Sequence, residues 1–149
     1  MSTTLRRLTA SDDLNEATRL FDLYRQFYEQ PSDPEAAHRF LAARLAKAES
    51  AVYLAEAEGR VLGFMQLYPA FCSIAVAPIW ILNDLFVLPE ARGRGIAASL
   101  LDEAKRLGRS NGSAYLMLST AHTNTRAQAV YEENGWELDE VYRVYTFGL

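Results

Sequence analysis

A glycine- and arginine-rich segment, Arg92–Ala98, is the sharpest chemical feature of this 149-residue chain. It lies between an apolar segment typical of a buried strand and a segment with helical periodicity. Glycine lets the backbone approach a ligand closely, and the first N–H groups of a helix have no partner within the helix. Together with the helix dipole and two arginines, they predict an anion site suited to phosphate. The residues expected to line it are Arg92, Gly93, Arg94, Gly95, Ile96, Ala97 and Ala98.

Two nucleotide-binding fingerprints fit this segment poorly. Gly93–Ala98 matches G-x-G-x-x-A, the dinucleotide fingerprint, but four loop residues separate it from Leu88. That fingerprint also places an acid about 20 residues further on, where this chain has Leu118-Ser119-Thr120. A phosphate loop of the Gly-Lys-Ser/Thr type is absent from the sequence. A dinucleotide-binding oxidoreductase is therefore the less favoured alternative.

A second polar feature, Asn83-Asp84, interrupts the apolar segment Ile79–Leu88. Simple alternation puts Ile79, Ile81, Leu85 and Val87 on one face and Trp80, Leu82, Phe86 and Leu88 on the other. A strand that is apolar on both faces is a central strand. Asn83 and Asp84 should point to opposite faces unless a bulge turns one of them. A carboxylate buried there is costly unless it is paired, so Asp84 is either a structural hydrogen-bonding group or a base with a shifted pKa.

The surrounding elements predict an α/β fold in a single domain, residues 1–149. Their order, β-α-α-β-β-β-α-β-α-β, favours a mixed, twisted sheet with helices on both faces. Glu58-Gly59 predicts a tight hairpin turn, and Asp33 followed by Pro34 predicts a helix start. The predicted strands are Thr4–Leu8, Ala51–Glu56, Val61–Tyr68, Ile79–Leu88, Ala114–Ser119 and Val141–Phe147, with a loop over Pro69–Pro78 and later helices over about Gly93–Leu107 and Asn124–Glu133.

Composition limits the classes of function. A net charge of −4 argues against nucleic-acid binding. No apolar run approaches the ~20 residues of a membrane span, and no secretory signal is visible, so we expect a cytoplasmic protein. One cysteine and two histidines predict neither a disulfide nor a metal site. Arg92–Arg109 has five basic residues, and Glu132–Glu140 has five acidic ones. The first segment is suited to bind an anion and the second a cation, or both are ordinary solvated surfaces.

These patterns resemble the GNAT superfamily of N-acetyltransferases, whose signature is Arg/Gln-x-x-Gly-x-Gly/Ala after a strand. Arg92, Gly95 and Ala97 fill that signature. Leu82–Val87 looks like the central strand of the family, and a second half-motif is matched by Asn124, Ala127, Tyr131 and Gly135-Trp136. The resemblance runs from Leu5 to Phe147 and implies a GNAT-like fold with acetyl-CoA as the cosubstrate. The pattern is similar to the diamine (spermidine/spermine) acetyltransferase branch.

The resemblance also implies a mechanism of direct attack in a ternary complex. The loop amides would hold the pyrophosphate, with Asn124 also at the cofactor. The pantetheine arm would pair with Leu85, Phe86 and Val87 like an added strand. The N–H of Val87 would polarise the thioester carbonyl, and Tyr131 would protonate the leaving thiolate.

The general base is where this sequence departs from that branch, which typically has a glutamate at the position of Asn83. An asparagine does not accept a proton usefully. Asp84 or a chain of water molecules could replace it, and the sequence leaves this choice open. The favoured acceptor is a small, cationic, polyamine-like primary amine; the alternatives are a protein N-terminus or lysine, or a non-catalytic acyl-CoA-binding module.

Several other residues are weaker candidates. Cys72 is either a nucleophile or a buried thiol, and His122 either lines the site or is solvated. The exposed edges of a mixed sheet make a homodimer an expectation. The first predicted helix and the acidic segment contribute candidates for the acceptor site, namely Tyr24, Tyr28, Glu29, Glu137, Asp139 and Glu140.

Overall fold

A computed structural model describes residues 2–149, which divide into two compact units, residues 2–119 and Thr120–Leu149. The first unit contains β1 (Thr4–Arg7), α1 (Asn15–Phe27), α2 (Pro34–Ala46), β2 (Ala51–Ala57), β3 (Arg60–Cys72), β4 (Ala77–Val87), a 3-10 turn (Pro89–Ala91), α3 (Ile96–Ser110) and β5 (Leu116–Met117). The second unit contains α4 (Thr125–Glu133). None of the helices in residues 2–149 is long and apolar enough to cross a membrane.

The five strands form one sheet in the order in which they occur along the chain. The strands β1 to β4 pair antiparallel, and β5 pairs parallel to β4 across the α3 connection. The mixed sheet predicted from the sequence is therefore confirmed. The turn between β2 and β3 has φ of 54° at Glu58 and 74° at Gly59, the two positive values that a two-residue hairpin turn requires.

Helices cover both faces of this sheet, as the sequence predicts. On one face, the ring of Phe21 in α1 lies 5.8 Å from that of Phe64 in β3. The preceding residue, Gly63, points to the other face, where a Cβ added to it would lie 3.0 Å from Ile96 Cγ2 in α3. The absence of a side chain at Gly63 thus lets the start of α3 approach the sheet closely.

A β-bulge lies in the middle of β4. Gln66 pairs with Asp84, but its successor Leu67 pairs with Leu82, so Asn83 has no partner in β3. An extra residue of this kind shifts the alternation of all residues beyond it. The bulge therefore determines which side chains of β4 share a face.

The face assignment predicted by simple alternation is wrong because of that bulge. Paired residues of antiparallel strands share a face, and Ile81 pairs with Tyr68, two residues after Gln66 in β3. Ile81 therefore lies on the same face as Asp84 and Phe86, under α1. The opposite face of β4, under α3, carries Trp80, Leu82, Leu85 and Val87.

The loop predicted over Pro69–Pro78 is also largely wrong. Pairing between β3 and β4 continues through Pro69 with Trp80 and Phe71 with Pro78, and the turn occupies residues 73–76. Proline is tolerated at sheet edges, where a missing N–H removes no ladder bond. Beyond Leu67, β3 no longer pairs with β2, so Pro69 lies on such an edge.

The second unit is built around α4. Asn124 Oδ1 accepts a hydrogen bond of 3.2 Å from Ala127 N and caps the helix, which ends before Gly135 with φ of 87°. Residues 141–147, where the sequence predicts the last strand, carry no strand in the structure. A strand requires a hydrogen-bonded neighbour, and Thr120–Leu149 taken by itself contains no second strand for this segment.

Candidate active site

The glycine-rich segment forms a tight loop before α3. Gly93 and Gly95 have φ of 78° and 81°, a region that side chains other than glycine rarely adopt. The helix therefore begins at Ile96 rather than near Gly93 as predicted. A Cβ added to either glycine would meet nothing within 4 Å, so the backbone conformation and not crowding requires glycine here.

The first turn of α3 leaves backbone donors open. The first helical bond runs from Ser99 N to Gly95 O at 3.0 Å. Gly95 is the N-cap residue and provides no side-chain cap for the N–H groups of Ile96, Ala97 and Ala98. Such a turn binds anions through its N–H groups and the helix dipole. This geometry fits the phosphate site that the sequence predicts.

The two arginines of the loop differ in position. The side chain of Arg94 is exposed, as are the neighbouring glycines. The side chain of Arg92 is half-buried and folds back, with Nε donating a 3.1 Å hydrogen bond to Val87 O. Its guanidinium carbon lies 5.9 Å from the centre of the Phe86 ring.

The end of β4 presents backbone groups away from β3. Leu88 N donates to Leu62 O at 2.9 Å. Because successive residues of a strand direct their N–H and C=O groups to alternate edges, those of Val87 and Leu85 point to the β5 side. Pairing with β5 involves Trp80 and Ile81 and stops short of them. This edge can accept an added extended chain, as the sequence predicts for a pantetheine arm.

The bulge directs Asp84 into a buried polar cluster under α1. Asp84 is 4% exposed and Gln66 is completely buried. Gln66 Nε2 donates to Asp84 Oδ2 at 2.7 Å, and Asn83 Nδ2 donates to Asp84 Oδ1 at 3.1 Å. The hydroxyl of Tyr24 donates to Asn83 O at 3.1 Å and interacts with the Asp84 carboxyl.

Burial raises the pKa of Asp84, and hydrogen bonds from Gln66, Asn83 and Tyr24 offset part of that effect. In the part of the chain that the structure describes, no ion pair includes Asp84. A buried carboxylate without a cation is costly in its charged form. A raised pKa brings a carboxyl closer to the range in which a general base works at neutral pH.

Aromatic side chains surround this carboxyl. The rings of Tyr24 and Tyr28 lie 5.1 Å apart, and that of Tyr24 lies 6.3 Å from Phe86. Burial followed by the charge of Asp84 raises the pKa of Tyr24 and of Tyr68, so both phenols stay neutral. Tyr28 is 44% exposed at the end of α1 and connects the cluster to the surface.

The remaining predicted residues are described by their own local contacts. Tyr131 and Asn124 belong to the second unit, where the ring of Tyr131 lies 6.3 Å from that of Trp136. Glu29 follows the end of α1 with a φ of 63°. His122 O accepts a hydrogen bond from Gln128 Nε2.

Two further candidates have local partners. Asp139 Oδ1 accepts hydrogen bonds from Val141 N and Tyr142 N, so it stabilises a turn. Cys72 lies in β3 and is partly exposed, so the buried thiol offered as one alternative is wrong. The backbone of Ala75 and the side chain of Tyr115 lower the pKa of its thiol. Neither group is a general base of the kind that accompanies a nucleophilic cysteine.

Comparison with known proteins agrees with the geometry of the loop and β4. The model of the Acetyltransferase (GNAT) family matches residues 17–136, most of the chain. The chain belongs to this family. That assignment decides against the dinucleotide-binding alternative and against a module without catalytic activity.

The relatives of this GNAT chain are acetyltransferases by name. It is 45% identical over 133 residues to an uncharacterized N-acetyltransferase, YhfO, of Bacillus subtilis (strain 168), with 89% of each chain covered. It is 30% identical over 116 residues to the aminoglycoside N(6')-acetyltransferase type 1 of Salmonella typhimurium, covering 74% of this chain and 79% of that one. A crystal structure of a probable acetyltransferase matches with a TM-score of 0.92 and 39% identity, covering 98% and 97% of the two chains.

Sequence reasoning missed two residues that interact with Asp84, namely Gln66 and Tyr68. Gln66 is a polar residue in the middle of the apolar strand that precedes β4 in the hairpin. Its position opposite the Asn83-Asp84 pair could have indicated a buried polar contact. The bulge, which sets the register, has no comparable sequence signal.

Proposed function

We propose that this GNAT acetyltransferase transfers the acetyl group of acetyl-CoA to a primary amine of a small, cationic, polyamine-like molecule. The observation that carries the proposal is the buried carboxyl of Asp84, whose hydrogen-bond partners are all neutral. An arriving ammonium group would supply the missing positive charge. The adjoining rings of Tyr24 and Tyr28 can bind a cation through their faces.

The acceptor chemistry follows from these groups. An alkylammonium has a pKa of about 10.4, so it must lose a proton before it attacks. Asp84, with its raised pKa, is the proposed base, and the exposed amide of Asn83 is proposed to orient the amine beside it. The relative from Salmonella typhimurium is named an aminoglycoside acetyltransferase, and aminoglycosides are polycationic amines, which supports an acceptor of this charge.

The donor side is proposed to use the loop and the end of β4. Enzymes of this family use acetyl-CoA, which supplies the acetyl group as an activated thioester. The N–H groups of Ile96, Ala97 and Ala98, with the charge of Arg94, would hold the pyrophosphate. The edge of β4 at Leu85–Val87 would pair with the pantetheine arm, and the N–H of Val87 would polarise the thioester carbonyl.

Tyr131 is proposed as the acid. In the reaction, the amine nitrogen bonds to the acetyl carbon and the carbon–sulfur bond breaks. The nitrogen gives up two protons in all: Asp84 takes the first before the attack and releases it to solvent, and then takes the second as the amide forms. The thiolate takes the proton of Tyr131, which solvent then replaces. A phenol with a pKa of about 10 carries its proton at neutral pH.

We also propose that residues 1–149 form a single catalytic domain. The family match, which extends across Ser119, supports this.

The test is acetyl-CoA-dependent thiol release against a panel of amines: spermidine, short diamines, an aminoglycoside, lysine peptides and peptides with free N-termini. We expect turnover with a polycationic small molecule and little with the peptides. Selective turnover of a peptide class would replace the acceptor with a protein amine. No turnover and no binding of acetyl-CoA by calorimetry would overturn the proposal.

The role of Tyr131 is tested by Tyr131→Phe, which keeps the ring beside Trp136 and removes the proton. We expect kcat to fall about 100-fold or more while the affinity for acetyl-CoA stays the same. The matched control is Tyr142→Phe in the same unit, which should keep the wild-type rate. Equal rates for the two variants would assign the proton to another group.

A further inference from the structure

The side chain of Arg92 closes a small ring between the loop and the end of β4. Its Nε donates to Val87 O at 3.1 Å across five positions of the chain, and its guanidinium carbon lies 5.9 Å from the ring centre of Phe86. The intervening residues form the short turn Pro89–Ala91. Arg92 thus joins the two segments to which the proposed function assigns the two ends of the donor.

The acceptor of this hydrogen bond is the backbone carbonyl of Val87, at the end of β4. Val87 directs both its N–H and its C=O to the β5 side of β4, because the neighbouring Leu88 donates to Leu62 on the β3 side. Arg92 takes the carbonyl of this residue as its acceptor. When an extended ligand adds to this edge, the carbonyl of Val87 already accepts a hydrogen bond from Arg92. The N–H of Val87 points to the β5 side and faces the ligand.

We infer that Arg92 is a positioning residue: it orients Val87, whose N–H faces the thioester, and its main role is not to bind phosphate. The inference rests on the proposed function for the donor site. It assigns the loop charge at the pyrophosphate to Arg94 and the backbone amides. Arg92 acts through the backbone of Val87, whose carbonyl it holds, and a displacement of about 1 Å there is enough to slow transfer substantially.

Two substitutions of Arg92 separate the roles because they keep different parts of the side chain. In Arg92→Gln, the amide Nε2 stands as many bonds from the backbone as the arginine Nε, so the bond to Val87 is kept and the charge is lost. In Arg92→Lys, the charge is kept, but a methylene replaces that N–H. Positioning therefore predicts that the glutamine variant is the more active one, and phosphate binding predicts the reverse.

The experiment measures kcat/KM for both variants with acetyl-CoA and with acetyl-pantetheine, which lacks the pyrophosphate and the nucleotide. We expect Arg92→Lys to lose about 10- to 100-fold with both donors, and Arg92→Gln to stay within a few-fold of wild type. As a contrast, Arg94→Ala should lose more with acetyl-CoA than with acetyl-pantetheine. A lysine variant that outperforms the glutamine variant, or that is impaired with acetyl-CoA alone, would overturn the inference.

A readout on the free protein is independent of turnover. The carbonyl ¹³C chemical shift of Val87 should move in Arg92→Lys and stay near the wild-type value in Arg92→Gln, while thermal unfolding shows that both variants are folded. An unchanged Val87 shift in Arg92→Lys would overturn the inference even if activity fell. If the wild-type protein transfers no acetyl group and binds no acetyl-CoA, the proposed function fails, and the carbonyl shift still reports whether Arg92 holds Val87.

Discussion

Gln66 donates a hydrogen bond of 2.7 Å to Asp84 from the neighbouring strand, in the middle of the sheet. The two residues are paired in register, and the bulge at Asn83 is what brings Asp84 onto the face of Gln66. If the register of Ile81 and Leu82 continued without the extra residue, Asn83 would lie opposite Gln66, and Asp84 would point to the other face. The bulge therefore links the strand register to the position of the buried Asp84 carboxyl beneath the aromatic rings of α1.

Asp84→Asn should abolish most activity while stabilising the fold. The amide is nearly isosteric and can still accept a hydrogen bond from Gln66, but it cannot take a proton. We expect kcat to fall about 10²- to 10⁴-fold and the thermal midpoint to rise at pH 7 to 8. Steady-state kinetics and thermal unfolding measure the two effects.

The pH dependence of that stabilisation has a definite sign. The pKa of Asp84 is raised in the folded protein. Its contribution to wild-type stability is therefore fully present below the unfolded pKa of about 3.9 and is lost as the pH rises through the folded pKa. The advantage of Asp84→Asn should grow over that window and then level off. An advantage that is constant with pH would show that titration of Asp84 is not its cause.

Much of the fold could be predicted because local patterns and tertiary contacts agree. Asp33 accepts a hydrogen bond from Ala36 N at the start of α2, as the Asp-Pro pair predicts. The Glu58-Gly59 turn has the expected positive φ values. At these positions, residues adjacent in the sequence determine the local conformation. The helix start and the turn can therefore be predicted from the sequence alone.

The errors arise where distant pairing decides the structure. The bulge at Asn83 depends on how β4 matches β3, and one extra residue puts Ile81 and Phe86 on the same face, where alternation predicts opposite faces. The hairpin continues through Pro69 because cross-strand pairing extends there despite the proline. The bond from Arg92 to Val87 depends on the path of the intervening turn, which residue types do not specify.

Gly95→Ala should impair the proposed anion site through the backbone. A Cβ there meets no atom within 4 Å, but the φ of 81° is strained for alanine, by about 1 to 3 kcal/mol. The loop should relax away from its left-handed conformation and move the first N–H groups of α3. We expect the Kd for acetyl-CoA, measured by calorimetry, to rise about tenfold or more.

The matched control is Gly112→Ala, beyond the other end of α3. Gly112 has a φ of 71° and equally open space, so the same strain arises away from the loop. Both variants should lose similar thermal stability, and only Gly95→Ala should lose affinity for acetyl-CoA. A comparable loss of affinity in both would attribute the effect to general destabilisation.

Gly63→Ala should disturb the packing of α3 on the sheet. The new methyl group would lie 3.0 Å from Ile96 Cγ2 and 3.3 Å from Leu100 Cδ1, closer than ordinary contact. Overpacking of this kind costs about 1 to 3 kcal/mol, measured as a lower free energy of unfolding in urea. The double variant Gly63→Ala with Ile96→Leu removes the crowding Cγ2, because leucine is not branched at Cβ. It should recover part of the stability, and failure to do so would place the strain elsewhere.

Asp22→Asn should loosen the connection between α1 and α2 and make its stability depend differently on pH. Asp22 accepts hydrogen bonds from Ser32 Oγ at 2.7 Å, Asp33 N at 2.8 Å and Gln26 Nε2 at 3.0 Å. Burial alone would raise its pKa, but these bonds and the charge of Arg25 outweigh burial and lower it. The carboxylate thus ties the start of α2 to α1.

A lowered pKa gives this contribution the opposite sign from that of Asp84. The stability from Asp22 is present above the unfolded pKa of about 3.9 and is lost as the pH falls through the folded pKa. At pH 7 the variant should lose about 1 to 3 kcal/mol of unfolding free energy, and the loss should shrink in acid. The control Asp102→Asn, at a carboxylate whose side chain is 75% exposed, should change the free energy of unfolding little.

Because Tyr24 and Tyr28 lie on the same helix as Asp22, we also expect KM for the amine to rise more than KM for acetyl-CoA. An equal rise in both KM values would mean that the hydrogen bonds of Asp22 stabilise the fold without affecting the binding site of the amine.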